Sequence, residues 1–208
     1  MARTIQRRKD FPWTEFWRTR THLWIKIFSL YESKVCLRLF KRLDVKTCLE
    51  LGGGPGYLAK LIAQNLGYTL TLLENDPEAY KLFRKISNYG NYIIKDFFEY
   101  KPRKKFDLVF SFGVIEHYPS RVKRIEAIRV HARLSNKYIA VFVPKNSFFV
   151  RHFFHYPEEK GFEKLYAPSE LEKELKDAGL KTLKFAQNPH AIGFLCKVDQ
   201  QAYTGNKF

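Results

Sequence analysis

The chain has 208 residues, 45% of them apolar and 28% charged: room for one domain with a sizeable core, too little for two, and not the composition of a disordered or fibrous protein. Its longest apolar run, Tyr138 to Val143, falls far short of the roughly 20 residues that span a bilayer. The net charge of +16 is uneven: residues 1–45 hold 11 basic and 4 acidic groups and 121–155 hold 8 and 1, against 10 and 8 in 46–120 and 8 and 8 in 156–208. Such clustering fits an anionic partner (RNA, a phospholipid surface or a small acid) and equally a solvated basic face. The start lacks a signal peptide's apolar stretch, and Cys36, Cys48 and Cys196 are an odd number without a C-x-x-C pair. A cytoplasmic protein with neither a disulfide framework nor a metal site is expected.

All three tryptophans lie in the first 45 residues, and Trp17, Trp24, Phe28, Tyr31, Val35 and Leu39 share one face of a helix. Beyond them, β-rich runs at Thr47–Leu51, Thr69–Glu74, Tyr92–Lys95, Phe106–Phe112 and Tyr138–Val143 alternate with helical periodicity at Tyr57–Asn65, Pro77–Ser87 and Arg121–Leu134. Strand and helix in series predict a doubly wound, mostly parallel sheet. Ser169, with Glu172 three residues on, reads as the N-cap of a helix that stops at Gly179. Leu180–Ala186 and Ala191–Val198 then form an antiparallel pair, giving seven strands in all.

At the end of the first strand, Gly52, Gly53, Gly54 and Gly56 fill four of five positions before a helix. A tight turn there aims backbone N–H groups and a helix N-terminus at one point, which suits an anion. Gly54-x-Gly56-x-x-Ala59, with Glu74 twenty residues on, also satisfies a dinucleotide fingerprint.

With Glu50 two residues before the first glycine, the turn reads E-x-G-x-G-x-G and resembles motif I of class I S-adenosylmethionine-dependent methyltransferases. Leu72–Glu78, Lys95–Phe97, Phe106–His117 with its V-I-E-H step, and Arg129-Val130 followed by Tyr138–Pro144 are similar, in order, to later motifs of that family's small-molecule group. The resemblance covers roughly residues 46–198. It implies S-adenosylmethionine as cofactor, Glu74 holding the ribose, Asp96 reading adenine, and Glu50, Gly52, Gly54, Gly56, Phe97 and Phe112 completing the site. A ribose diol does suit a carboxylate, and an adenine amine needs an acceptor. The implied organisation is an N-terminal helical cap (1–45), a methyltransferase domain (46–200) and a tail (201–208). The family's Lys-Pro-Gly-Gly turn is replaced by Arg133–Lys137.

Missing motifs narrow the acceptor. There is no D/N-P-P-Y/F segment, no Pro-Cys nucleophile and no arginine-methyltransferase glutamate loop, and Phe112 stands where a 2′-O enzyme wants Asp. The expected reaction is methyl transfer to oxygen or nitrogen of a small anionic or lipid-like acceptor, with His117 as the candidate base or, alternatively, packed under the cofactor or orienting Glu116. RNA or protein modification is the alternative. Residues 11–40 and 145–166 are expected to meet over the cofactor, Trp13, Trp17, Phe148 and Phe153 giving apolar walls, Arg18, Arg20, Lys145 and Arg151 positive charge, and His152 and His155 further bases. A leader packed as ordinary core, or lying on a membrane surface, is the rival expectation.

Overall fold

The computed structural model describes residues 13–19, 22–153 and 163–199. Arg20, His155 and the 201–208 tail lie outside them. Two helices, α1 (Trp13–Thr19) and α2 (His22–Phe40), precede β1 (Thr47–Leu51), α3 (Tyr57–Leu66), β2 (Thr69–Glu74), α4 (Pro77–Ile86), β3 (Asn91–Ile94) and β4 (Phe106–Phe112). After a short 3-10 turn (Ile115–His117) come α5 (Arg121–Leu134), β5 (Ser135–Pro144), α6 (Phe148–Phe153), α7 (Pro168–Asp177), β6 (Lys181–Gln187) and β7 (Ala191–Lys197). The seven strands run in the order β3-β2-β1-β4-β5-β7-β6, parallel except for β7, which is antiparallel to both of its neighbours. Among the described residues no helix is long and apolar enough to cross a membrane.

Strand alternation divides the core. Cys48, Leu108, Phe110, Ala140 and Phe142 face one side and pack on α2 and α3 through Val35, Cys36, Leu39, Phe40, Ala59 and Ile62. Leu49, Leu51, Val109, Ile139 and Val141 face the other and pack on α5 and α7 through Ile128, Leu171 and Leu175. The first of these clusters crosses residue 45, so α2 is part of the core. Its buried stripe is Ile25, Ser29, Glu32, Cys36 and Phe40, while Tyr31, expected on the inner face, is 39% exposed.

Two local readings need correction. Strand β5 starts at Ser135, not Tyr138, because the Ser135 hydroxyl donates to the Tyr138 carbonyl (2.7 Å) and the residue pairs with Phe106. Helix α7 is capped at Ala167, not Ser169: Pro168 occupies the first turn, and the Glu170 carboxylate accepts the Ala167 N–H (2.8 Å). Its far end closes as expected, Gly179 at φ +88° bonding back to Lys176 and Leu180 to Leu175. Buried Arg124 on α5 grips Glu174 on α7 (2.8 Å), whose other oxygen accepts the Tyr166 hydroxyl (2.9 Å).

Candidate functional site

Strand order reverses between β1 and β4, and open α/β sheets place their ligands at the carboxyl end of such a switch point. There a cavity of about 650 Å³ opens, lined at one end by Glu50, Gly52, Glu74, Asp96, Phe97 and Tyr118, and at the other by Gly113, Glu116, His117 and Glu163.

The glycine turn works differently from the sequence expectation. Gly52, Gly54 and Gly56 take φ of +64°, +51° and +69°, a region costly for residues with a Cβ. Their N–H groups, however, are used internally: Gly52 donates to the Leu73 carbonyl (2.8 Å), Gly54 to the Glu74 carboxylate (2.9 Å) and Gly56 to the Gly53 carbonyl (2.9 Å). Donors for an anion therefore come from the first turn of α3, which has no side-chain cap and whose Tyr57 and Leu58 line the cavity. The tyrosine hydroxyl of Tyr92 braces the turn from below by donating to the Gly54 carbonyl (3.0 Å).

Glu74, at the end of β2, accepts N–H groups from Gly54 and, on its other oxygen, from Asn75 (2.7 Å) and Asp76 (3.0 Å). Burial raises its pKa, and those three donors hold the rise back. Glu50 lies under the turn, where a Cβ on Gly53 would come within 2.7 Å of Oε2. Among the described residues that oxygen has no hydrogen-bond partner, and burial, then the charge of Glu74, pushes the carboxyl well above its ordinary range. Asp96 accepts the Phe98 N–H (2.8 Å) and lines the cavity beside the buried Phe97. Phe112 also lines it, stacked on Phe142 at 5.5 Å.

Helix α1 lines the cavity through Trp13, Phe16 and Trp17. The Thr14 hydroxyl donates to Asp76 (2.8 Å) and Arg18 pairs with Glu78 (3.5 Å), tying α1 to the start of α4. Trp17 then covers the glycine turn, and the ring of Trp13 meets His117 edge-on at 4.7 Å between centroids. Together with Phe16 and, from α2, Trp24 and Phe28, these rings form an aromatic wall. All three tryptophans thus line the cavity. His190, in the β6–β7 connection, closes one side: its Nδ1 lies 2.6 Å from Glu32 on α2, and Phe28 meets it edge-on.

The described residues from Lys145 to His152 stand elsewhere. Phe148 is 74% exposed and stacks on His152 (4.0 Å), Arg151 donates to the Asn146 side chain (2.7 Å), and neither Lys145 nor these three lines the cavity. The wall on that side is Pro144 and Glu163 instead. Among the described residues, Lys95 is the one Lys or Arg in the lining, against the carboxylates of Glu50, Glu74, Asp96, Glu116 and Glu163. Sequence reasoning missed Glu163 and His190, which no local motif marks. It named Glu116 only as a neighbour of His117, although the V-I-E-H step carries both.

A family model described as a methyltransferase domain matches residues 7–184. Among solved structures, the chain is similar to magnesium protoporphyrin IX methyltransferase (ChlM) from Synechocystis PCC 6803 with bound SAH, at 15% identity and a TM-score of 0.62 over 86% of each chain. It is similar to human N-acetylserotonin methyltransferase (ASMT) in complex with SAM at 16% identity and a TM-score of 0.69, over 89% of this chain and 55% of that one. The methyltransferase in the complex with the Haloferax volcanii Trm112 methyltransferase activator gives 13% identity and a TM-score of 0.71, over 90% and 98%. At these identities the likeness is one of fold. No curated protein matches the chain.

Proposed function

Since this chain belongs to the methyltransferase-domain family, we propose that it transfers the methyl group of S-adenosylmethionine to an oxygen or nitrogen of a small acceptor with an apolar, flat body. The observation that carries this reading is one cavity with two different ends: the glycine turn with Glu50, Glu74 and Asp96, and the Glu116–His117 step, where Trp13 meets the His117 ring edge-on.

The residues at the first end fit the cofactor. The uncapped start of α3 can take its carboxylate, the partnerless oxygen of Glu50 its ammonium, Glu74 its ribose hydroxyls and Asp96 its adenine amine. An acid-rich lining also suits a cationic sulfonium. When bound, the cofactor would supply a sulfonium methyl that the acceptor's lone pair attacks in line, the C–S electron pair leaving with sulfur. The protein's part is to position the two reactants and exclude water, for which α1 lines the cavity. The Glu116–His117 pair is assigned to activating the acceptor by removing its proton.

The acceptor's anionic group, expected from the chain's charge, gains no support from the cavity, where Lys95 stands against five carboxylates. The deciding experiment is incubation with methyl-labelled S-adenosylmethionine and separated extracts of small metabolites, lipids, RNA and protein. Label should enter a small-molecule fraction. Label in RNA or protein would shift the excess charge to substrate binding, and no cofactor binding in calorimetry would overturn the reading.

A further inference from the structure

We propose that Glu116, His117 and Glu163 form a binding site for one divalent cation at the acceptor end of the cavity. Two carboxylate oxygens and one imidazole nitrogen make a mixed donor set that suits Mn2+ or Zn2+. No metal site is expected from the sequence, because the third group arrives 46 residues after the second.

The three ligand atoms lie within 4.8 Å of one another, and His117 Nε2 stands 4.0 Å from Glu116 Oε1. Donors held at 2.0–2.2 Å from one ion are separated by about 3 Å when adjacent and about 4.3 Å when opposed. Side-chain movements on the order of 1 Å therefore complete the site. Its frame is already held by main chain: the Lys164 N–H donates to the Glu116 carbonyl (3.0 Å), and two residues on Tyr166 donates to the Pro144 carbonyl (3.0 Å). These bonds hold the backbone next to Glu163 against the V-I-E-H turn.

A second observation points to a ligand. Glu116 is 1% exposed, and its Oε2 is buried with no hydrogen-bond partner among the described residues. A buried carboxylate left so is costly unless a proton or a cation compensates it. The adjacent ammonium, Lys164, is held by Glu170 (2.7 Å) and over the Tyr166 ring. Two carboxylates and a neutral imidazole carry −2, which a divalent ion cancels.

The role of the ion, unlike its site, rests on the methyltransferase reading. All three ligands line the cavity, where an acceptor hydroxyl bound to the ion would lose its proton to water more readily. With the ion bound, His117 is a ligand and no longer the base, and the acceptor's proton passes to water instead. With aromatic walls around it, the site suits an aromatic acceptor bearing a hydroxyl next to a second oxygen.

The test uses the full chain, stripped with EDTA and desalted, titrated with MnCl2 and followed by calorimetry and by the electron paramagnetic resonance of free Mn2+. One Mn2+ per chain should bind, displaced by Zn2+, and Glu116→Gln and Glu163→Gln should each weaken binding by roughly tenfold or more. Glu163 is only partly buried, so its variant keeps the test decisive should Glu116→Gln fail to fold. No saturable Mn2+ binding, or unchanged affinity in Glu163→Gln, overturns the proposal. Methyl transfer by a chain that binds no Mn2+ would sink the cation and leave the methyltransferase reading intact. Mn2+ binding without S-adenosylmethionine binding would do the reverse.

Discussion

The indole of Trp17 rests on Gly54 so closely that a Cβ built on the glycine would come within 2.5 Å of the ring's Cζ2. Gly54 therefore has two reasons to lack a side chain, this contact and its φ of +51°. The left-handed conformation costs an alanine about 1–2 kcal/mol, and the ring must also move. Gly54→Ala should lower the melting temperature and weaken cofactor binding, and Trp17→Ala should relieve part of that loss. A double-mutant cycle by thermal denaturation checks this. Strict additivity would mean that the indole and the glycine are not coupled.

The same contact makes α1 separable from α2. Because Val35, Cys36, Leu39 and Phe40 are core, removing residues 1–40 should unfold the chain, whereas removing 1–21 spares that packing. If α1 acts as a cap, the shorter deletion should leave a folded protein that binds cofactor but turns over roughly 10²-fold more slowly or worse. Circular dichroism, calorimetry and label transfer on one preparation separate the outcomes. Wild-type turnover would show that α1 covers nothing of consequence.

Glu74 joins the turn to the second strand through three N–H acceptances. If it also holds the ribose, Glu74→Ala should cost about 1.5–3 kcal/mol of cofactor affinity, the usual size for hydrogen bonds to a charged group. Titration calorimetry reads this, and a melting curve reports how far the turn itself loosens. Equal affinity in mutant and wild type would take Glu74 out of the site.

His117→Ala should slow the chemical step by roughly 10² to 10⁴ with little change in cofactor affinity. Its ring touches Trp13 and faces the cavity rather than the glycine turn, so the two effects should part. Single-turnover kinetics at saturating cofactor is the measurement. A variant with normal turnover would leave positioning as the whole of catalysis.

A pH effect arises away from the site. His131 is fully buried, with Nδ1 2.8 Å from the Ala127 carbonyl and Nε2 2.8 Å from the Ser111 hydroxyl. A carbonyl only accepts, so Nδ1 carries the proton and Nε2 accepts from serine. Burial lowers the pKa from 6.5 to about 4. The unfolded chain thus binds this proton first as pH falls, and the stability held above pH 6.5 is lost towards pH 4, about 3 kcal/mol in all. Buried carboxylates with raised pKa values, Glu50 and Glu116 among them, act in the opposite sense. The comparison is therefore between wild type and His131→Gln: urea melts at pH 7 and pH 4.5 should differ less in the variant. An equal pH slope in both would assign the loss to other groups.

The strands of the parallel sheet, the helices α3 to α5 and the glycine turn were legible before any coordinates, because each is written in neighbouring residues. Alternating apolar runs end at Gly, Pro or Asp, Pro77 opens α4 behind its cap Asp76, and four glycines mark a turn where a Cβ would not fit. The same is true of Glu74 and Asp96, which stand at strand ends on the one sheet edge where a switch point can bind a ligand. Distant packing decided the rest. No local pattern tells that the glycine N–H groups are consumed by Leu73, Glu74 and Gly53, that Phe148 and Arg151 turn outward, or that Glu163 and His190 turn in. Those outcomes depend on bonds such as Lys164 to Glu116 and His190 to Glu32, 48 and 158 residues apart, which exist only once the sheet has brought their strands together.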